Sequence, residues 1–576
     1  MVSGAVVLTS LIPPLHSLTE DVQAGASALS TYSMGGNAIQ AGNGADQIYG
    51  TLYDMTFSQS GGNNTATPPS QGIEGVTEVG DTFMMGHNII TAGGGIDIIA
   101  GDMHDFNWSV VGGVATQGFT ATNINHSNTF ILGNNTIKTT GYGADVVYGD
   151  MHALNWSATG GYADGTPTTL NPLGGGSNAR AIMRLDTVNL GHNAIQVGNG
   201  VDTVYGDMQQ LSLSLQGGTV TNGGVLVTEG IPFLTDASAI MIDTTITMVG
   251  NIITAGSGND VLFGNMENLN FSATNGTVDG VSTGFIPGDG NAGAYFSGTY
   301  INTSGQPRFD TGSTITFGND TLNAGAGNDF LCGDALNLTG LNAFLVKTDA
   351  AGDPNINFID WGNAVLVDGS GHDQDVFALD DHTGSMMMQG AQIVEHFNLS
   401  NDKLVFGNVI GANNSGSASS NAHLLDAVST FVNFTVNGEK EIAVIFHGAG
   451  ADSNLASVYQ AGINGLISHE APLTSTAQIL SDVAQYIYQS GTATALTGAG
   501  NVRDPGTHVV LPATGYTLST DVTTAAPAHL AADLPQGAVI LEGHSTSQAG
   551  FSSFTDLASH NALSIHSDTA SINPWG

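Results

Sequence analysis

One block recurs six times along this chain, and the recurrence limits the folds open to it. It reads GNAIQAGNGADQIYG from Gly36, GHNIITAGGGIDIIAGDM from Gly86 and GNNTIKTTGYGADVVYGDM from Gly133. It returns as GHNAIQVGNGVDTVYGDM from Gly191, GNIITAGSGNDVLFGNM from Gly250 and GNDTLNAGAGNDFLCGD from Gly318. A degenerate seventh copy, DGSGHDQDVFALDD, begins at Asp368. The Asp of each central G-x-G-x-D is Asp46, Asp97, Asp145, Asp202, Asp260 or Asp329, with gaps of 51, 48, 57, 58 and 69 residues. Self-similarity at such a period is the signature of a stacked, quasi-one-dimensional architecture.

Each block has a physical reading. The glycines tolerate positive φ, so the chain turns sharply, and the Asp ends the turn. A short strand follows, with Ile48, Ile98, Val146, Val204, Leu262 and Leu331 expected to face inward. One such strand cannot bury its apolar face alone, but stacked copies bury it between neighbours. The expected fold is therefore all-β, a parallel β-solenoid with long β-rich insertions between turns and a mixed C-terminal region. Three corners are legible per turn. The first carries Asn37, Asn88, Asn135, Asn193, Asn251 and Asp320; the second carries the six Asp. The third carries Thr51, Asp102, Asp150, Asp207, Asn265 and Asp334. A further strand follows, in which Phe106 and Trp108 align with Leu154 and Trp156, with Leu211 and Leu213, and with Leu269 and Phe271. Its alternation marks a half-buried strand. The third block holds one extra residue between Asn135 and Gly141, which predicts a bulge or looser turn. Variable spacers leave the solenoid between turns and, rich in Gly, Thr, Asn and Val, are expected to form added β-ribbons.

Charge narrows the partners. The 576 residues include 8 Lys+Arg against 49 Asp+Glu, a net charge of −41. Of the acids 39 are Asp, which favours turns and ligates hard cations at short reach. A chain with so few cations will not bind nucleic acid through phosphate contacts or insert into membranes; divalent cations are its natural partner. Cys332 is alone, so no internal disulfide forms. The N-terminus lacks the basic region and cleavage site of a signal peptide, and no apolar run is long enough to span a bilayer.

The runs AGNGADQIY, AGGGIDIIA, AGSGNDVLF and AGAGNDFLC resemble the G-G-x-G-x-D-x-U-x calcium-binding nonapeptide of RTX proteins; TGYGADVVY and VGNGVDTVY match less fully. The stretch from Asp368 to Phe406 resembles the segment that closes many RTX arrays. There Ile393, Glu395, Phe397, Asp402, Leu404 and Phe406 stand on its closing motif, and the run from Ile442 to Ile463 resembles the strand pair that follows. The resemblance implies calcium as the cofactor and type I secretion through an uncleaved C-terminal signal, hence an extracellular or bacterial cell-surface location. The chain departs from simple RTX arrays in two respects: a long spacer interrupts each turn, and the first corner is mostly Asn.

The candidate metal ligands follow. At the second corner Asp46, Asp97, Asp145, Asp202, Asp260 and Asp329 offer carboxylates beside Gly-rich carbonyls; turn capping is their structural alternative. Asp102, Asp150, Asp207 and Asp334 at the third corner, Asp320 at the first, and Asp373 and Asp375 in the seventh block complete the set. The Asn residues of the first corner are expected to form a hydrogen-bonded ladder. His104 and His152 share one repeat position, and His87 and His192 another; these are read as solvated or hydrogen-bonding rather than metal-binding. His469-Glu470 lacks the second His of a zinc protease, and Gly543-His544-Ser545-Thr546-Ser547 lacks the final Gly of a nucleophile elbow.

Four regions are expected: an N-terminal segment, 1–32; the calcium-binding solenoid, 33–380; a closing β region, 381–470; and a C-terminal region, 471–576, with one helix at 475–489 and the secretion signal. The apolar stretch Ala5–Leu11 either caps its own first turn or adds to a neighbour's sheet. The expected function is that of a secreted, self-assembling structural protein of a surface layer, filament or matrix. Alternatives are an adhesin that displays spacer loops, for instance to cell-surface polysaccharide, and a solenoid enzyme modifying polysaccharide.

Overall fold

The computed structural model describes residues 7–8, 17–23, 31–61, 63–64, 77–79, 81–116, 119–166, 177–222, 225–228, 231–282, 285–286, 290–296, 299–301, 307–309, 313–344, 357–360, 362, 364–368, 374–379, 392–407, 417–426, 429–436, 439–446, 501–503, 510–512, 538–543 and 553–566. The expected helix at 475–489 lies outside these residues.

The second coil shows the plan. It runs through six short strands: Ile89–Thr91, Ile98–Ala100, Met103–Val111, Val114–Thr116, Asn123–His126 and Thr129–Ile131. Each pairs in parallel and in register with its counterpart in the coils on either side. Six sheets result, of 12, 9, 7, 5, 5 and 7 strands. The fold is therefore an all-β parallel solenoid, with one β-strand spacing, about 4.8 Å, between coils.

Two cores run the length of the stack. Between the first two sheets lies an aliphatic column that includes Ile39, Ile90, Ile137, Ile195, Ile253 and Leu322. The third, fifth and sixth sheets enclose a larger core in which Trp108 and Trp156 are fully buried and stack at 4.6 Å. At the narrow end of the coil only small residues fit, and Ala115, Ala163, Ala179, Val220, Ala237 and Ala292 fill it.

Register corrects one sequence expectation. Ile48 stacks on Ile99 and Val147, not on Ile98 and Val146. The inward residue sits two places after the ladder Asp in every coil, and a one-residue offset turns a side chain to the opposite face. Ile98 and Val146 are half-buried on the outer side, beside Tyr49. The alignment of Phe106 and Trp108 with Leu154 and Trp156, then Leu211 and Leu213, then Leu269 and Phe271, holds. In the third block the extra residue is absorbed at the corner: Gly141 adopts φ +105° and Tyr142 projects into solvent, 86 % exposed.

The spacers also differ from expectation. They do not leave the solenoid; they supply its fourth and fifth sheets, and the sixth is formed by strands that follow them. Only surplus length departs from the coil. Three residues, 117–119, join the neighbouring strand positions Thr116 and Thr120, whereas thirteen, 165–177, and fourteen, 222–235, span the same junction in the next two coils. In the latter the surplus forms the antiparallel hairpin Val225–Thr228 with Ile231–Leu234. Two further hairpins, Phe285–Ile286 with Gly290–Asn291 and Thr299–Ile301 with Pro307–Phe309, belong to the longest repeat.

Both ends of the first core are covered. Val7–Leu8 lies antiparallel on Ala38–Gln40, so the N-terminal strand sits on its own first coil. Ser17–Gln23 and Thr31–Ser33 add a partial coil that carries no block motif. At the other end Ala538–Gly543 and Leu563–Ile565 return from the C-terminal region to extend the first and second sheets. Helices Ala418–Asp426 and Phe554–Ser559 close the core with Ala422, Leu425, Phe554 and Leu557. Asp426 ties them together, accepting from the Phe554 and Thr555 N–H groups.

If the hairpin is surplus to the coil, excising residues 223–233 leaves Asn222, Leu234 and Thr235 as a three-residue connection like that of the second coil. The calcium-loaded variant should keep its β circular dichroism and melt within a few degrees of the parent. Trp156→Ala, which empties the larger core, should instead cost about 3–5 kcal/mol by chemical denaturation.

Candidate metal centre

A solenoid corner buries backbone amides that no strand pairs, so each corner needs polar side chains. The first corner solves this with neutral amides. The Asn37 N–H donates to Asn88 Oδ1 (3.0 Å), Asn88 to Asn135 (2.9 Å), Asn135 to Asn193 (3.0 Å) and Asn193 to Asn251 (2.9 Å). Each Nδ2 in turn donates to a carbonyl across the corner, from Gly50 to Gly264. Asp320 takes the last rung, accepting from the Asn251 N–H at 2.6 Å. It is thus a member of this amide ladder and lies apart from the Asp column.

At the second corner the same ladder is built from carboxylates. The N–H of Asp46 donates to Asp97 Oδ1 (3.0 Å), Asp97 to Asp145 (2.9 Å), Asp145 to Asp202 (2.8 Å), Asp202 to Asp260 (2.8 Å) and Asp260 to Asp329 (2.7 Å). The column continues from Asp329 to Asp375 (2.8 Å) and from Asp375 to Asp402 (3.2 Å). Asp373 lies outside the described residues. Asp402 was read from sequence only as part of the closing motif; Leu404, two places on, stacks in register on Phe377 and marks it as a ladder position.

The two ladders differ in what remains. Asn spends its Nδ2 on a carbonyl, whereas the second oxygen of Asp46, Asp97, Asp202 and Asp260 is buried and accepts no hydrogen bond. In the turns that precede these residues backbone packs on backbone. A Cβ at Gly200 would stand 1.5 Å from the Gly143 carbonyl oxygen, and one at Gly258 (φ +154°) 1.3 Å from that of Gly200. Spare carboxylate oxygens in Gly-rich turns are the oxygen-only kind of donor that calcium takes. These residues fit the ion, which would supply the positive charge the buried column lacks.

That lack is visible in the acidities. Burial, then the charges of Asp145 and Asp46, pushes Asp97 up to about 6. Burial with Asp260 and Asp145 raises Asp202 to about 7, and burial raises Asp260 to about 6. Asp375 reaches about 9 through burial and the charges of Asp329, Asp368 and Asp402. Oxygens of the buried Asp368, Asp375 and Asp402 lie within 4.8 Å of one another, where the column ends.

The third-corner carboxylates are occupied differently. Asp102 accepts from the Gly133 N–H (2.7 Å) and Asn88 Nδ2 (3.0 Å), and Asp150 from the Gly191 N–H (2.8 Å) and Asn193 Nδ2 (2.8 Å). Asp207 accepts from Asn251 and Asn265 (3.0 and 2.7 Å). With both oxygens satisfied, these three join successive coils through hydrogen bonds. Asp334 is buried at the same corner. A fourth ladder escaped the sequence reading. The Asp81 N–H donates to Asn128 (2.8 Å), Asn128 to Asp186 (2.9 Å), Thr244 to Ser313 (3.2 Å) and Ser313 to Asn357 (2.6 Å). Its signal was a small polar residue seven places before every first-corner residue.

This geometry defines a class, a calcium-binding parallel β-solenoid. The RTX calcium-binding nonapeptide repeat model matches the chain in four copies, at residues 33–51, 250–268 and 316–337. The chain thus carries RTX nonapeptide repeats, and these repeats bind calcium. Proteins bearing them are typically secreted and the repeats are typically non-catalytic. Among the described residues no helix is long and apolar enough to cross a membrane. No curated protein and no solved structure matches the chain.

Two predictions follow from the column. Because its folded-state acidities lie above the unfolded value of about 3.9, the folded chain holds protons that the unfolded chain releases. Without calcium, stability should fall as pH rises from 5 to 7.5; with saturating calcium that fall should disappear over the same range. Melting curves in chelator and in calcium check both. Asp202→Asn keeps the Oδ1 rung but removes one charge, and should weaken calcium binding about tenfold or more while the chain stays folded. Calcium titration by calorimetry, with circular dichroism alongside, reads both effects.

Proposed function

We propose that this is a secreted structural protein that folds on calcium outside the cell and then assembles side by side into a surface layer, filament or matrix. One observation carries the reading. The outer face of the first sheet presents Ala38, Ile89, Thr136, Ala194, Ile252, Thr321 and Val365 in one column. Beside it run Gln40, Thr91, Lys138, Gln196, Thr254, Asn323 and Val367. In a chain of net charge −41, these fourteen outward positions hold no acid and one base. Ile89 and Ile252 are 57 % and 60 % exposed on it. Around the metal corner the stripe continues through Ala45, Ile96, Ala144 and Val201, the residue before Asp in the first four G-x-G-x-D turns, and gives way to Asn259 and Asn328 in the next two. A flat face stripped of like charge accepts a second copy of itself where the rest of the surface repels one. Because the calcium corner borders that face, loading would shape it.

The polysaccharide-enzyme reading loses support. Trp108 and Trp156, its candidate sugar platform, are buried. A cavity of about 230 Å³ near the end of the Asp column is lined chiefly by amides and ladder carboxylates. An adhesin reading keeps one support, the three hairpins that branch from the stack and could meet a cell-surface polysaccharide.

Electron microscopy and sedimentation in calcium, then in EGTA, test the proposal. The parent should form ordered assemblies in calcium that disperse in chelator. Ile89→Glu with Ile252→Glu should bind the same calcium yet stay monomeric. Assemblies that persist under both treatments would sink the idea. Monomers that bind glycans through the hairpins would favour the adhesin.

A further inference from the structure

At one place on the stack the repeat is broken by chemistry found nowhere else along it. The position two residues after the third corner carries Tyr53, His104, His152, Gln209 and Glu267 in successive coils. Sequence alone places the two histidines at one repeat position and reads them as solvated or hydrogen-bonding. The fold stacks their rings at 4.7 Å and turns the Nδ1 atom of each toward Asp105. His152 Nδ1 stands 2.8 Å from Asp105 Oδ1, and His104 Nδ1 stands 3.1 Å from Asp105 Oδ2 and 3.7 Å from Asp54 Oδ1. The ligand atoms of His104, Asp105 and His152 all lie within 4.8 Å of one another.

We propose that Asp54, His104, Asp105 and His152 form a binding site for one divalent transition metal, zinc by preference, separate from the calcium column. A hydrogen bond joins His152 to Asp105, and His104 Nδ1 stands in ion-pair range of both Asp105 and Asp54. His104 Nδ1 and Asp54 Oδ1 are buried and complete no well-aligned hydrogen bond. Two imidazole nitrogens facing carboxylate oxygens offer a cation its ligands. The spacing also fits. Ligand atoms at 2.0–2.1 Å from zinc in a tetrahedron stand about 3.4 Å apart, and the three separations above bracket that value; Asp54 stands outside the 4.8 Å group and would move in as the fourth ligand. Two carboxylates and two neutral imidazoles balance a dication and supply the nitrogen donors that zinc takes and calcium does not. Tyr53 stacks on His104 at 5.2 Å and Tyr148 meets His152 edge-on at 5.3 Å, which holds both imidazoles in place.

The site draws on three successive coils: Asp54 from the first, His104 and Asp105 from the second, His152 from the third. A metal there clamps the N-terminal end of the stack. It is a single site, since Gln209 and Glu267 continue the column and the register partner of Asp105 in the third coil is Ala153.

The test uses the full chain saturated with calcium and titrated with Co²⁺ as a spectroscopic stand-in for zinc. The expected result is the visible absorption of tetrahedral cobalt, complete at one equivalent and abolished by added Zn²⁺, with a rise in melting temperature. His152→Ala, His104→Gln and Asp105→Asn should each lower zinc affinity by more than about tenfold. Their circular dichroism and calcium stoichiometry should match the parent, which separates loss of the site from loss of the fold. Absence of visible bands overturns the proposal. So does metal binding of equal strength in the parent and all three variants, which would place it on other histidines.

Discussion

Everything in this molecule depends on hydrogen bonds made at the corners, between coils rather than within them. Strands of three residues carry little stability alone, and their backbone amides at each bend would be buried without partners. The side chain of one coil therefore accepts the N–H of the coil before it, rung after rung, as in Asn88 to Asn37 and Asp97 to Asp46. That arrangement leaves no room for a Cβ at the facing glycines, so the G-x-G pattern is a packing requirement as much as a turn signal. It also holds the circumference of the coil constant. Insertions are tolerated only where they can branch away without shifting the register.

Asn and Asp serve the same geometry and leave opposite residues of charge. An Asn rung uses its oxygen for the ladder and its Nδ2 for a carbonyl, and the corner is closed. An Asp rung leaves one oxygen over, buried and without a hydrogen bond at Asp46, Asp97, Asp202 and Asp260. Repetition turns a small local cost into a collective one, because each carboxylate raises the pKa of its neighbours. A cation held on the column would offset that cost, and a fold responsive to calcium would then need no dedicated regulatory element.

Much of this was legible in the block itself. The G-x-G-x-D spacing fixed the Asp column, and the Asn at a constant nine or ten residues before it fixed the amide ladder. The paired Trp108 and Trp156 showed which long strands lie side by side. What escaped had physical reasons. Ile98 and Val146 were set inward because either of two adjacent apolar residues satisfies the pattern, and only register chooses between them. The fourth ladder mixes Asp, Asn, Thr and Ser, since any short side chain with an acceptor oxygen can fill a rung, so identity hid what geometry conserves. The spacers looked like excursions because their strands are three residues long and lack a motif. The C-terminal strands return across a large gap in sequence, which no local pattern records.

The histidine cluster shows how a repeat fold acquires a unique site. In a solenoid every position is presented several times, one strand spacing apart, so any substitution is automatically placed beside its own equivalents. A column of identical groups offers a repeated site, as the Asp column would to calcium. Two successive histidines with a carboxylate one register position away yield a single site, because the groups above and below differ. The distance between coils, about 4.8 Å, suits both outcomes. It is short enough for ligands on adjacent coils to share one ion, and the backbone ladder holds it constant whatever the side chains are. Chemistry can then change at the surface of this stack without altering the corners that hold it together.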